Sequence, residues 1–239
     1  IVPAVLSPNT EYAILGDSDR PFSSITLWRL RTGERIKTFE QGEDLIYYAA
    51  FSPDGKYIFM SGSGGFHRTT RKLIETSSGR ELWKFTDDSG WEYYSSLKFS
   101  PDGTRILASD FHEVLKMWDA STGLEIKRTW PKPNMNEYWF TAFDFSPNGK
   151  HIVNNTRSEV RIIDSSTGKE ITVMVGFEDG SWLVITPEGF YNSSEKKAHF
   201  LTVKFKGYDY TVDQFYNVFY RPDKVAAKLR EEDRKDLLP

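Results

Sequence analysis

The residues that could do chemistry in this chain are few and scattered. Cysteine is absent and histidine occurs four times, at His67, His112, His151 and His199. Thiol nucleophiles, disulfides and Cys-ligated zinc are therefore excluded, and the fold stands on packing alone. His112-Glu113 lacks the second His that a helical zinc-protease motif places four residues on. Asp17-Ser18-Asp19 opens like a calcium loop, but the central Gly and distal Glu do not follow, so it reads as a turn. Asn154-Asn155-Thr156 and Asn192-Ser193-Ser194 match a glycosylation acceptor pattern short enough to arise by chance. No metal site and no cofactor are expected.

One cationic stretch stands out. Gly62-Ser63-Gly64-Gly65 precedes Phe66-His67-Arg68-Thr69-Thr70-Arg71-Lys72. Glycines beside His67, Arg68, Arg71 and Lys72 suit a cradle for phosphate or a partner's carboxylates, and equally a solvated hairpin loop. The dinucleotide glycine pattern fails, because His67 stands where its last Gly belongs.

The richer signal is aromatic: 7 Trp, 12 Tyr and 17 Phe make up 15% of the 239 residues. Phe22, Phe66, Trp91, Tyr93, Tyr94, Tyr138 and Trp139 gather in connecting segments, where such rings either anchor a protein partner or fold back to seal the scaffold. A net charge of −3 gives no general attraction to nucleic acid or anionic lipid. No run of about 18 apolar residues is present to span a bilayer. A cytoplasmic location is the expectation.

The elements that position these residues repeat. Ser-Pro followed by Asn or Asp recurs at Ser7, Ser52, Ser100 and Ser146, at intervals of 45, 48 and 46 residues. Pro presets φ and Gly accepts a positive φ, so Ser-Pro-Asp-Gly turns one strand into the next. A second turn carries Gly33, Gly79, Gly123 and Gly168, each five residues after Trp28, Ile74, Trp118 and Ile163. Alternating apolar residues around both turns predict four-stranded antiparallel meanders, and a repeat of this length is a propeller blade. The reading is an all-β propeller of about five blades: 1–40, 45–86, 91–130, 138–176 and, more loosely, 181–212, where Thr186-Pro187-Glu188-Gly189 replaces the Ser-Pro-Asp-Gly turn. Residues 213–239 form a connector with a short helix over 224–238, started by Pro222 and presenting Val225, Ala226 and Leu229 on one face. The set reads as part of a larger ring, or as one closed in an atypical way.

From Ser of each Ser-Pro to the marker residue before the second turn the span is 21, 22, 18 and 17 residues, while both turns keep their length. The variation lies between the second and third strands. That loop and the blade-to-blade links emerge on one face, the tight turns on the other, which makes the aromatic face the binding face.

These repeats resemble the WD-repeat β-propellers, with Trp118-Asp119 supplying the dipeptide that names them. They are degenerate: no Gly-His pair opens them, and Ile74 and Ile163 stand where Trp is expected. Trp182 to Tyr191, taken with Phe219-Tyr220-Arg221-Pro222-Asp223-Lys224-Val225-Ala226, resembles the propeller end of bacterial proteins that fuse WD-type repeats to a caspase-like peptidase. That resemblance implies a regulatory or sensor module, with Phe215, Tyr216, Phe219, Tyr220 and Arg221 in a connector leading to an effector outside this chain. The function expected is non-catalytic binding of a protein partner or of an adjacent effector domain. The alternatives are a propeller enzyme with its site in the central channel and a free-standing scaffold.

Overall fold

The computed structural model describes residues 4–16, 24–40, 44–64, 69–87, 94–110, 115–129, 142–155, 159–194, 201–205 and 208–230. The chain divides into two compact units, Ile1–Thr141 and Ala142–Pro239.

The first unit holds three four-stranded antiparallel sheets, each a simple meander. They are β1 (Val5–Leu6), β2 (Tyr12–Gly16), β3 (Ser24–Arg29) and β4 (Glu34–Glu40); β5 (Asp44–Phe51), β6 (Tyr57–Gly64), β7 (Thr69–Glu75) and β8 (Glu81–Asp87); and β9 (Tyr94–Phe99), β10 (Arg105–Asp110), β11 (Leu115–Asp119) and β12 (Glu125–Thr129). The expected four-stranded antiparallel meanders are present, and their turns show why the sequence folds this way. Ser100 Oγ donates to Asp102 Oδ1 (2.5 Å), Asp102 Oδ1 accepts from Thr104 N (3.0 Å), and Arg105 N donates back to Ser100 Oγ (3.0 Å). Gly103, at φ +72°, closes the turn with its N–H on Ser100 O (2.8 Å). In the first blade Thr10 takes that left-handed position at φ +56°, which costs a residue with a Cβ about 1 kcal/mol. The second turn is capped by Asp119, whose Oδ1 accepts from the N–H of Ser121 (3.0 Å) and Thr122 (2.9 Å).

The five-residue offset before the second turn includes a bulge. The register between third and fourth strands shifts at Leu27/Trp28, Leu73/Ile74 and Met117/Trp118 in the three sheets.

Packing between blades makes the core. Ile14, Ile25, Leu27 and Phe39 of the first blade bury Ile58, Met60 and Ile74 of the second. Phe59 and Leu73 of the second blade bury Ile106, Ala108 and Trp118 of the third. Trp118 is fully buried, stacked on Phe59 at 6.3 Å between centroids. First strands lie side by side, β1 on β5 and β5 on β9, and the Ser-Pro turns adjoin: Gly55 faces Asn9, and Gly103 faces Pro53. Gly123 must lack a side chain, since a Cβ there would lie 2.4 Å from the Phe85 ring. Trp83 Nε1 donates to Ala120 O (3.1 Å) across the same junction.

The second unit departs from the expectation. Its fourth blade, β13 (Ala142–Phe145), β14 (His151–Asn155), β15 (Val160–Asp164) and β16 (Glu170–Gly176), has the same turns and the same bulge, at Ile162/Ile163. Among the described residues of 181–212, the expected fifth blade, no separate four-stranded sheet is formed: β17 (Trp182–Ile185) and β18 (Tyr191–Ser193) extend the fourth sheet to six strands. The cause is the link between β16 and β17, a tight hairpin and not a blade-to-blade passage. Gly180, at φ +78°, donates to Phe177 O (3.0 Å), and Asp179 Oδ1 accepts from Ser181 N (3.0 Å). β19 (Thr202–Phe205) and β20 (Tyr208–Thr211) pair as a two-stranded sheet. A 3-10 turn (Val212–Phe215), α1 (Tyr216–Phe219) and α2 (Pro222–Arg230) follow, and α2 packs on β16 and β18 through buried Val225. Pro222 sits in the first turn as predicted; residues 231–238 of the expected helix lie outside the described residues.

Candidate functional site

The sequence reading points to two regions, the loop face and the connector. In the first unit the adjoining Ser-Pro turns stand at one end of all three sheets, and the end of β2, β6 and β10 away from those turns is the other end of each sheet. The β2–β3, β6–β7 and β10–β11 loops and the links between sheets, which carry Phe22, Phe66, His67, Arg68, Trp91 and Tyr93, lie outside the described residues, as do Tyr138 and Trp139. Tyr94 opens β9, its backbone opposite Asp110.

Arg71 and Lys72 are placed differently from the loop reading. The β-branched pair Thr69-Thr70 starts β7 early, so both cations belong to the strand and are buried on its opposite faces. The Arg71 guanidinium lies 5.0 Å over the Trp118 ring and 6.0 Å from that of Phe85, while Lys72 Nζ lies 5.8 Å from the Phe39 ring. Their charges sit over aromatic faces inside the blade junctions, where the ring quadrupole favours a cation.

The connector residues come together on the second unit. Rings step along the segment: Tyr210 against Phe215 (5.9 Å), Phe215 against Phe219 (6.2 Å), and Tyr216 stacked on Tyr220 (4.6 Å). Tyr220 meets fully buried Tyr191 edge-on at 5.5 Å. The backbones bridge at the same place, with Arg221 N donating to Tyr191 O (3.0 Å). Phe219 fills the space in front of Gly189, 3.6 Å from where a Cβ would stand. Lys224 Nζ lies 4.1 Å over the Phe190 ring, and Lys228 pairs with Glu188. Burial pushes the Glu188 carboxyl up, but the Lys228 hydrogen bond prevails and holds it below its ordinary range. Asp223, gripped by Arg221, is lowered to about 2 and stands in the first turn of α2, where the helix dipole favours an anion.

Glu188, Phe190, Tyr191, Lys224 and Lys228 are not among the sequence-predicted site residues. The available signal is the Glu in Thr186-Pro187-Glu188-Gly189, where every other turn has Asp or Asn. Among the described residues no group of three or more His, Asp or Glu is placed to hold a metal, and no helix is long and apolar enough to cross a membrane. His151 is in β14, and the other three histidines lie outside the described residues.

The sequence model of the family described as WD domain, G-beta repeat matches residues 33–68 and 80–119. Each match starts at an outer strand, β4 or β8, and ends at or beside the third strand of the next sheet, the second at Trp118-Asp119. The Set1 complex component swd2 of Schizosaccharomyces pombe is 28% identical over 167 residues, 67% of this chain and 42% of that protein. An uncharacterized WD repeat-containing protein of Deinococcus radiodurans is 25% identical over 170 residues, 62% of this chain and 64% of the relative. Another, from Synechocystis sp., is 35% identical over 85 residues, 36% of this chain and 23% of the relative. Among solved structures, the β-propeller domain of Myceliophteria thermophila Cps50 (Swd1) matches with a TM-score of 0.57 at 15% identity, covering 80% of this chain and 63% of that one. The fold is a β-propeller fold, and residues 33–68 and 80–119 are similar to WD repeats. The chain spans less than half the length of the S. pombe relative and under two thirds of the others.

Proposed function

We propose that this chain is a non-catalytic protein-interaction propeller that recognises a protein on its loop face and is tied through the connector to an effector in the same polypeptide. The observation that carries the reading is the seating of the connector. A backbone hydrogen bond, an aromatic ladder and an ion pair hold 215–228 on the sheet that carries β17 and β18, which suits a segment that ties that sheet to an effector. The loop face supports the recognition half: loop length varies there over constant turns, and its aromatic residues are of the kind that dominate binding energy. One relative is by name a component of a complex, which accords with such a use. The resemblance of 182–191 and 219–226 to propellers fused to caspase-like peptidases favours a peptidase as the effector.

The test is the native gene product carrying W91A and W139A together. Partner cross-linking should fall by about tenfold or more, two aromatic anchors being removed, with the unfolding midpoint unchanged. Undiminished cross-linking would sink the assignment of the loop face.

A further inference from the structure

We infer that a cleft between the Ser-Pro turns of the first two blades binds an arginine side chain presented by a polypeptide. The cleft measures about 220 Å³, lies wholly within the first unit, and is lined by Glu11, Tyr12, Asp54, Tyr57, Glu75 and Thr76 among others. Drug-sized ligands take about 300–1,000 Å³, so this is room for one side chain. It stands at the turn end of the sheets, a site apart from the loop face.

The rim is anionic. Glu11, Asp54 and Glu75 share the cleft with one ammonium, that of Lys56, which already pairs with Asp54 (3.2 Å). Glu75 is held by Ser78 (2.5 Å) and Arg80 (3.6 Å). Glu11 differs: its Oε2 accepts from Asn9 Nδ2 (3.3 Å), and among the described residues no cation pairs with it. Arg29, 5.9 Å from the Tyr12 ring, is itself bound to Glu34.

The floor lacks a hydrogen bond. Thr76 is 1% exposed, and its Oγ1 is buried without a partner. The corresponding positions show that the repeat does not require this. Ser165, three residues before the second-turn Gly as Thr76 is, donates from Oγ to Gly149 O (2.6 Å). Ala120 has no hydroxyl, and its carbonyl takes the Trp83 indole N–H from the preceding blade. At the first junction Lys37 stands where Trp83 stands, and its Nζ goes to Gly79 O (2.9 Å) instead. A buried hydroxyl left unpaired costs stability, which a ligand N–H restores.

A guanidinium meets these demands together. Its planar fork carries five donors, enough for Glu11 and Thr76 at once, and its flat face suits a tyrosine ring. A metal ion does not, since the described acids are not grouped to hold one. Free arginine would bring a further carboxylate among three, which points to an arginine within a chain.

The native gene product, titrated with an end-blocked tripeptide of arginine between two glycines, tests this by NMR. The backbone amide signals of Gly55, Tyr57 and Thr76 should move. Thr76→Ala, which copies the third blade, should raise the dissociation constant about threefold or more, and Glu11→Gln, on an exposed turn, about fivefold or more. The same peptide with neutral citrulline, and free arginine, should each bind at least about fivefold more weakly. Glu11→Gln decides alone if Thr76→Ala fails to fold. Unmoved signals at the three amides, a constant unchanged in a folded variant, or a citrulline peptide that binds equally well would overturn the inference. Free arginine binding as tightly as the peptide would overturn the assignment to a polypeptide.

Discussion

Ser100-Pro101-Asp102-Gly103 and Thr186-Pro187-Glu188-Gly189 are turns of one shape that use their acids in opposite ways. In the first, the acid is used up locally: Asp102 accepts from Ser100 and from both the N–H and the hydroxyl of Thr104. In the second, one added methylene carries the acid out of the turn to Lys228, 40 residues on. The backbone is kept, Gly189 N donating to Thr186 O (2.9 Å), while the side chain is released to hold another element. A repeat whose turns satisfy themselves can be stacked again and again. A turn that looks outward for its partner marks where the repeat gives way to a connection.

The largest effect that would separate the two regions is at Tyr191. Tyr191→Ala empties a fully buried aromatic site under Tyr220 and should cost about 3–5 kcal/mol in the second unit, seen as a lower denaturant midpoint with earlier protease cleavage between 212 and 230. Cleavage there at the unaltered rate would mean that the connector does not depend on this dock.

Next comes acid sensitivity. The hydrogen bond from Ser100 chiefly holds Asp102 below its ordinary pKa. A carboxyl lowered in the folded state stabilises above its unfolded pKa of about 3.9, and that contribution is lost as pH falls through the lower folded value. Asp102→Asn should therefore leave stability near neutrality almost unchanged, since Asn148 makes the same contacts to Ser146 and Lys150, and should flatten the fall in stability below about pH 4. An equal acid transition in the variant would show that the turn acids do not set it.

The smallest effect is Glu188→Gln. The pair with Lys228 is partly exposed, so its loss should cost about 0.5 kcal/mol and vanish at high salt. A larger, salt-independent loss would mean that Glu188 supports the turn itself.

The four blades are legible in the sequence because their determinants are local. Ser-Pro-Asp-Gly closes by bonds within six residues, and the constant offset before each second Gly already contains the bulge. The fate of the fifth unit depends on which edge β17 joins, a choice made by the hairpin at Phe177 to Ser181. Asp179-Gly180 is the turn signal there, and a turn dipeptide suits a link between blades as well as a hairpin. For Arg71 and Lys72 charge argues for a loop and Thr69-Thr70 for a strand. The strand prevails because the cations find aromatic cover between sheets, which no local pattern announces. The connector's aromatic residues are visible as a cluster, and their partners on β18 are not.

The bulge before Trp28, Ile74, Trp118 and Ile163 has a consequence beyond the turn it precedes. In each of the first three sheets the last strand has no further strand paired along its outer side among the described residues, the kind of edge onto which another chain can add and grow a fibre. A bulge twists that strand away from the flat geometry such growth needs. In the fourth sheet, β17 occupies the edge outright. The repeat thus carries its own defence against aggregation in every copy, which lets a chain multiply blades without multiplying the hazard.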